Sequence, residues 1–199
     1  MKRLVLIGLA TLTGLVLLEM FVFGPVNECY GGESDTKGEG FKIVELIDCS
    51  GDKFSPDDGD SFYCVINDKK VFVRVLGIDT PETMHEEHGI CENQKLGPEA
   101  TKFANNILMN AKNITLVHKV GDVGSYGRPL VHVLVDGKLF APMLVKAGLA
   151  YSTLEHYGDN GFSGYAAEIN HVWANMTPPE FENPHKFRKK MREKCPQPE

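Results

Sequence analysis

Positive charge is what this sequence lacks first: 21 lysines and arginines stand against 27 aspartates and glutamates, for a net charge of -6. That balance excludes a protein holding polyanions by bulk attraction, so a nucleic-acid partner must be gripped by local cations and a bound metal. There is no internal repeat and no low-complexity tract, which excludes a solenoid or a compositionally disordered chain. Tryptophan occurs once, at Trp173, and reads as core. The 199 residues suit one domain with attachments, large enough to bury a core without relying on disulfides. Cysteine is not scarce. Cys29, Cys49, Cys64, Cys91 and Cys195 fit an oxidising compartment. Cys49 and Cys64 lie in neighbouring strand-like segments and are the first candidates for a disulfide, although five is odd and pairing does not follow from sequence.

Lys2 and Arg3 precede an apolar run over residues 4–18, broken by Glu19 and resumed over residues 20–26. No small-x-small cleavage site is visible, and the run is long enough to cross a hydrocarbon core of roughly 30 Å. Residues 1–26 are therefore expected to form a signal peptide or an N-terminal membrane anchor. The rest of the chain is then outside the cytoplasm, secreted or anchored. Residues 27–40, rich in Gly, Glu, Ser and Asp, read as a linker. Residues 41–182 form the expected domain, and residues 183–199 a basic tail carrying Lys186, Arg188, Lys189, Lys190, Arg192 and Lys194. Such a run is ordinarily a solvated helix face or tail, with contact to nucleic acid or anionic lipid as the sharper alternative.

Within the domain, residues 41–47, 61–66 and 71–76 carry strand signals, the last two separated by an Asn67-Asp68-Lys69-Lys70 turn. Gly97-Pro98-Glu99 opens a helix, and Ala100, Phe103, Ala104, Ile107, Leu108 and Ala111 recur on one face of it. Residues 114–120 and 130–135 are further strands, the second closed by Asp136-Gly137. Helices are expected over residues 139–147, capped by Gly148, and over residues 163–175. Strands followed by packed helices make an α+β fold, with an oligonucleotide-binding type of barrel the best candidate.

The chemistry concentrates in residues 71–83. Alternation puts Arg74 on the face of Phe72 and Leu76, where a guanidinium is costly without an anionic partner. A buried Arg–Asp pair would satisfy it as a purely structural feature. Pro81 biases Thr80 toward extended backbone, so Asp79, the Thr80 carbonyl and Glu82 fan out and can address one point. Asp57, Asp58 and Asp60 form a second acidic cluster that by itself reads as a polar turn. Carboxylates with a backbone carbonyl make a hard oxygen site, suited to Ca²⁺ or Mg²⁺ and poor for copper or zinc. His85, His88 and Cys91 have zinc-like spacing, but a solvated insertion loop is the more natural reading.

Asp58-Gly59-Asp60-Ser61, Arg74, Asp79-Thr80-Pro81-Glu82-Thr83, Gly97-Pro98-Glu99-Ala100, Tyr126-Gly127-Arg128 and the segment 144–150 occur in that order. Together they closely resemble the staphylococcal-nuclease-like (thermonuclease) family over residues 41–150, with insertions before Asp57, between Thr83 and Gly97, and near Gly121. The resemblance implies a five-stranded OB-fold barrel with about three helices, Ca²⁺ as cofactor, and hydrolysis of DNA and RNA phosphodiesters with little sequence preference. It implies Asp60, Asp79 and the Thr80 carbonyl as metal ligands and Glu82 as general base. Arg74 and Arg128 would hold the scissile phosphate, and Tyr126 the terminal phosphate of a bound nucleotide. The chain departs from the family at Ser125, where a lysine is usual, and at Leu154 and His156, where an aromatic pair flanks the base. Tyr151 or Tyr157 would be the substitutes, structural packing being the plainer role for each. DNA and RNA are thus the expected partners of a monomer that meets membrane only through its N-terminal segment. The alternative is a non-catalytic nucleic-acid or peptide binding module on the same barrel.

Overall fold

The computed structural model describes residues 42–44, 55–66, 69–119, 124 and 127–196. The apolar N-terminal run, the linker and Tyr126 lie outside the described residues. No helix among the described residues is long and apolar enough to cross a membrane.

The centre of the sheet is the hairpin of β3 (Ser61–Ile66) and β4 (Lys69–Val75), in register Ser61 to Arg74 and Cys64 to Val71. Alternation along β4 sends Val73 and Val75 into the core, leaving Phe72 and Arg74 on the opposite face. That opposite face is the site face, lined by the stacked rings of Tyr63 and Phe72 at 4.4 Å. Leu76, beyond the strand, joins a separate cluster with Val117 and Phe162.

β4 pairs in parallel with β7 (Leu130–Val135), Arg74 opposite Leu130. β7 pairs antiparallel with β6 (Ile114–His118), which pairs with β1 (Lys42–Val44). β2 (Ser55–Pro56) lies on the outer side of β3. Asp136 and Gly137, at φ 49° and 78°, fold β7 onto β8 (Lys138–Leu139), the left-handed pair that a two-residue hairpin requires. A separate short ladder joins β5 (Ile78–Asp79) to β9 (Tyr151–Ser152), with Asp79 opposite Tyr151. The fold is α+β as expected. Among the described residues, however, the sheet runs β1-β6-β7-β4-β3-β2, open and mixed, without the closure a five-stranded barrel needs.

The three expected helices are present as α1 (Gly97–Met109), α2 (Ala141–Lys146) and α4 (Ser163–Ala174). α1 buries Ala100, Ala104 and Leu108, with Phe103, Ile107 and Ala111 packed partly against the core. Ile169 of α4 and Leu144 of α2 are fully buried in the same core. Two more helices are present. α3 (Leu154–Tyr157) is a single turn that was not foreseen, and α5 (Pro184–Lys194) makes the basic run a helix, as one of the two readings had it, but a docked one. Asn183 caps α5 by accepting from the His185 N–H at 3.1 Å, and Phe187 and Met191, one turn apart, are buried.

The structure shows a disulfide that the sequence did not suggest. Cys91 is bonded to Cys195 at the end of α5, 104 positions further along the chain. The buried Cys64 Sγ lies 3.7 Å from the Val71 carbonyl, and its expected partner Cys49 lies outside the described residues. The same bond removes Cys91 from any zinc set, and His85 turns instead to the Thr83 hydroxyl at 2.8 Å and the Asp57 carboxylate at 3.4 Å.

Candidate active site

The acidic residues reach one place from three backbone segments. Before β3, the Asp58 carboxylate accepts the Asp60 N–H at 3.0 Å, a local turn that turns Asp60 inward. Asp60 is fully buried. Its Oδ2 accepts the Thr80 N–H at 2.6 Å, stitching the start of β3 to the end of β5. Its Oδ1 pairs with Nη1 of Arg74. The other arm of that guanidinium meets Asp79 Oδ1 at 2.6 Å and the Ile78 carbonyl at 3.4 Å. One planar fork from β4 therefore bridges both aspartates.

Glu82 is held by its backbone. Its N–H donates to Gln94 Oε1 at 3.1 Å, and its carbonyl accepts the Gln94 N–H at 2.9 Å. Gly97, at the first turn of α1, lies so close to this segment that a Cβ there would stand 2.2 Å from the Glu82 carbonyl oxygen. Only glycine lets α1 approach the carboxylate-bearing turn.

Arg128 enters just before β7. Its Nη1 donates to the Ser61 hydroxyl at 3.2 Å, and its guanidinium lies over the Phe72 ring at 5.3 Å. The Ser61 hydroxyl also lies 3.2 Å from Asp60 Oδ1 and 3.5 Å from Arg74 Nη1. This one hydroxyl links both arginines to the acidic centre.

A further cation arrives from the far end of the chain. Arg188 of α5 donates from Nη2 to Asp79 Oδ2 at 2.8 Å and from Nη1 to Asp79 Oδ1 at 3.0 Å. Nη1 also pairs with Glu82 Oε1.

Electrostatics follow from crowding. Asp58, Asp60, Asp79 and Glu82 are all buried within this cluster. Burial raises the Asp58 and Glu82 carboxyls, against the pull of Arg74 and Arg188 respectively. Burial also pushes Asp60 well above the usual range, against the pull of Arg74 and with Asp58 and Asp79 adding to the rise. At Asp79 burial acts the same way, but Arg74 and Arg188 together win and hold its carboxyl below the ordinary value. Burial disfavours the two guanidinium charges, yet their carboxylate partners keep Arg74 and Arg188 more firmly protonated than usual.

Asp60, Arg74, Asp79, Thr80 and Glu82, all expected from sequence, are thus brought together, and Arg128 joins through Ser61. Tyr126 lies outside the described residues. Leu154 is core, and Tyr151 packs on Trp173 and Phe181 while its hydroxyl donates to the Phe181 carbonyl at 2.9 Å. Tyr157 is exposed, its ring edge-on to His156 at 4.5 Å. Sequence reasoning missed Arg188, the bridging role of Ser61 and the clamp at Gln94. Ser61 stands inside a quoted motif and Arg188 inside the basic run, but nothing local marks either.

The chain is similar to several known proteins. The Endonuclease YncB of Bacillus subtilis (strain 168) is 40% identical over 94 residues, covering 47% of this chain and 43% of that protein. The Thermonuclease of Staphylococcus hyicus is 28% identical over 145 residues, covering 73% of this chain and 76% of its own. The SPbeta prophage-derived endonuclease YokF of Bacillus subtilis (strain 168) is 38% identical over 107 residues, or 53% of this chain and 34% of that one. The match thus spans less than half of YncB and of YokF. The profile of the family described as Staphylococcal nuclease homologue matches residues 72–172, from β4 with its arginine through most of α4. The chain belongs to the staphylococcal nuclease homologue family.

Proposed function

We propose that this chain is a Ca²⁺-dependent, sugar-nonspecific endonuclease that hydrolyses phosphodiester bonds of DNA and RNA outside the cytoplasm. The observation that carries the reading is the convergence of four buried carboxylates with Arg74 and Arg128 on one point. Endonucleases and a thermonuclease among the similar proteins support the same reaction class. The Cys91–Cys195 disulfide suits an oxidising compartment, in keeping with the apolar N-terminal run.

The donor chemistry of the acidic centre suits a hard divalent cation, although among the described residues no three of its side chains are already grouped as a metal site. Every donor in the acidic centre is oxygen, and burial and mutual repulsion raise the carboxyls of Asp58, Asp60 and Glu82, so added positive charge is favoured there. Thr80 Oγ1, on the same turn, is buried without a hydrogen-bond partner among the described residues. Asp60, Asp79 and the Thr80 carbonyl would hold the ion. Bound there, it would polarise a phosphoryl oxygen as a Lewis acid.

The protein's own groups supply the rest. Glu82 takes a proton from the attacking water as it adds to phosphorus. Arg74 and Arg128 donate charge-assisted hydrogen bonds to the phosphoryl oxygens, which gain charge as the leaving oxygen departs. Ser61 and Gln94 fix the positions of these groups without touching the reacting atoms.

The test is cleavage of labelled DNA and RNA in millimolar Ca²⁺ and in excess chelator. Cleavage of both that stops with chelator is expected. Saturable binding with no turnover would instead establish the non-catalytic module, and chelator-resistant cleavage would remove the metal from the mechanism.

A further inference from the structure

Two stretches supply no reacting group to the chemistry above: the insertion between Thr83 and Gly97, whose Gln94 only positions Glu82, and the chain beyond residue 182. The structure packs them on each other. Ile90 forms a small core with Phe187, Met191 and Cys195, closed by the Cys91–Cys195 bond. Gln94 Nε2 donates to the Glu182 carbonyl, and Lys194 Nζ lies 2.5 Å from Glu92 Oε2. α5 is therefore fastened along its length to the segment that follows Glu82.

This fastening delivers Arg188 to the acidic centre. Its hydrogen bonds from Nη1 and Nη2 end on Asp79 Oδ1, Asp79 Oδ2 and Glu82 Oε1. These oxygens belong to an expected metal ligand and the expected general base. A guanidinium and a divalent cation repel at such range, and a carboxylate lone pair serves one of them at a time. Arg188 differs in this from Arg128, which donates to the Ser61 hydroxyl and lies over an aromatic ring.

We propose that α5 is a disulfide-tethered latch in which Arg188 competes with a divalent cation for the carboxylates of Asp79 and Glu82. The inference rests on the metal reading given above. The Cys91–Cys195 bond raises the effective concentration of the helix at the site, so the latch recloses whenever the cation leaves. Metal affinity is then reduced by the fraction of molecules in which the latch is open.

Ca²⁺ binding by the full chain, followed by titration calorimetry and by hydrogen exchange of residues 184–194, tests this. Arg188→Gln should bind Ca²⁺ about tenfold more tightly than wild type, as for a latch open in roughly one molecule in ten. Cys195→Ser should shift affinity in the same direction. In the wild type, which needs no substitution, saturating Ca²⁺ should speed exchange across α5. Equal or weaker binding by Arg188→Gln, or α5 exchange unchanged by Ca²⁺ that does bind, overturns the latch and leaves the metal reading standing. Unchanged affinity in Cys195→Ser overturns the tether. If no variant and no wild-type chain binds Ca²⁺, the metal reading and the latch fall together.

Discussion

Arg74 shows how much of the site turns on one side chain. Its fork meets both Asp60 and Asp79, so it positions the acidic centre, and in the proposed mechanism it also presents charge to a phosphate. A lysine keeps the charge but lacks the fork. Arg74→Lys should lower the rate of phosphodiester cleavage by about 10²–10³ while the protein stays folded. A variant within twofold of wild type would remove Arg74 from the transition state. Arg74, Asp79 and Glu82 are legible in the sequence because strand alternation and Pro81 constrain where they project, whereas Asp60 and Arg128 look ordinary alone and stand out only through the resemblance. Arg188 is not legible. Its partners lie 106 and 109 positions away, and no local pattern carries information over that distance.

At the scale of elements, α1 is legible because its apolar residues repeat at helical spacing over several turns, and α2 because Gly148 marks its end. α5 carries only Phe187 and Met191 as buried anchors of its helical face, amid six basic residues, and reads as a solvated run. Its docking depends on the insertion at residues 84–96, whose partner no periodicity names. Closure of the expected barrel is not seen among the described residues, and strand signals do not bear on it: they give the segments, while closure depends on pairings between distant strands. Gly97-Pro98 announces a helix start, yet its contact with Glu82 is visible only in three dimensions. Gly97→Ala should cost about 1–3 kcal/mol in denaturant unfolding, since the neighbouring atom is backbone and the turn must shift to admit a methyl group. It should also reduce cleavage by moving Glu82. A fully stable and fully active variant would contradict the close approach.

For the whole molecule, stability and activity place different demands on ionisation. His132 is buried between Phe162 and Tyr165, and burial brings its pKa down to about 4 from an ordinary value of 6.5. Above pH 6.5 the ring is neutral in both folded and unfolded chains. As pH falls, the unfolded chain takes up the proton first, so stability is lost between pH 6.5 and about 4. The loss is about 3 kcal/mol by linkage. The raised carboxyls of Asp58, Asp60 and Glu82 act in the opposite sense, gaining stability as pH falls, so the comparison must be made with a variant. His132→Leu should flatten the acid limb of the unfolding profile, and an unchanged slope would show that another group controls it. None of this touches the chemistry at Glu82, on which the account turns. Its most direct test is the turnover of Glu82→Gln on DNA at saturating substrate and Ca²⁺. A fall of about 10²–10⁴ in kcat is expected, the contribution of a positioned general base, with substrate binding little changed. Turnover equal to that of the wild type would contradict it.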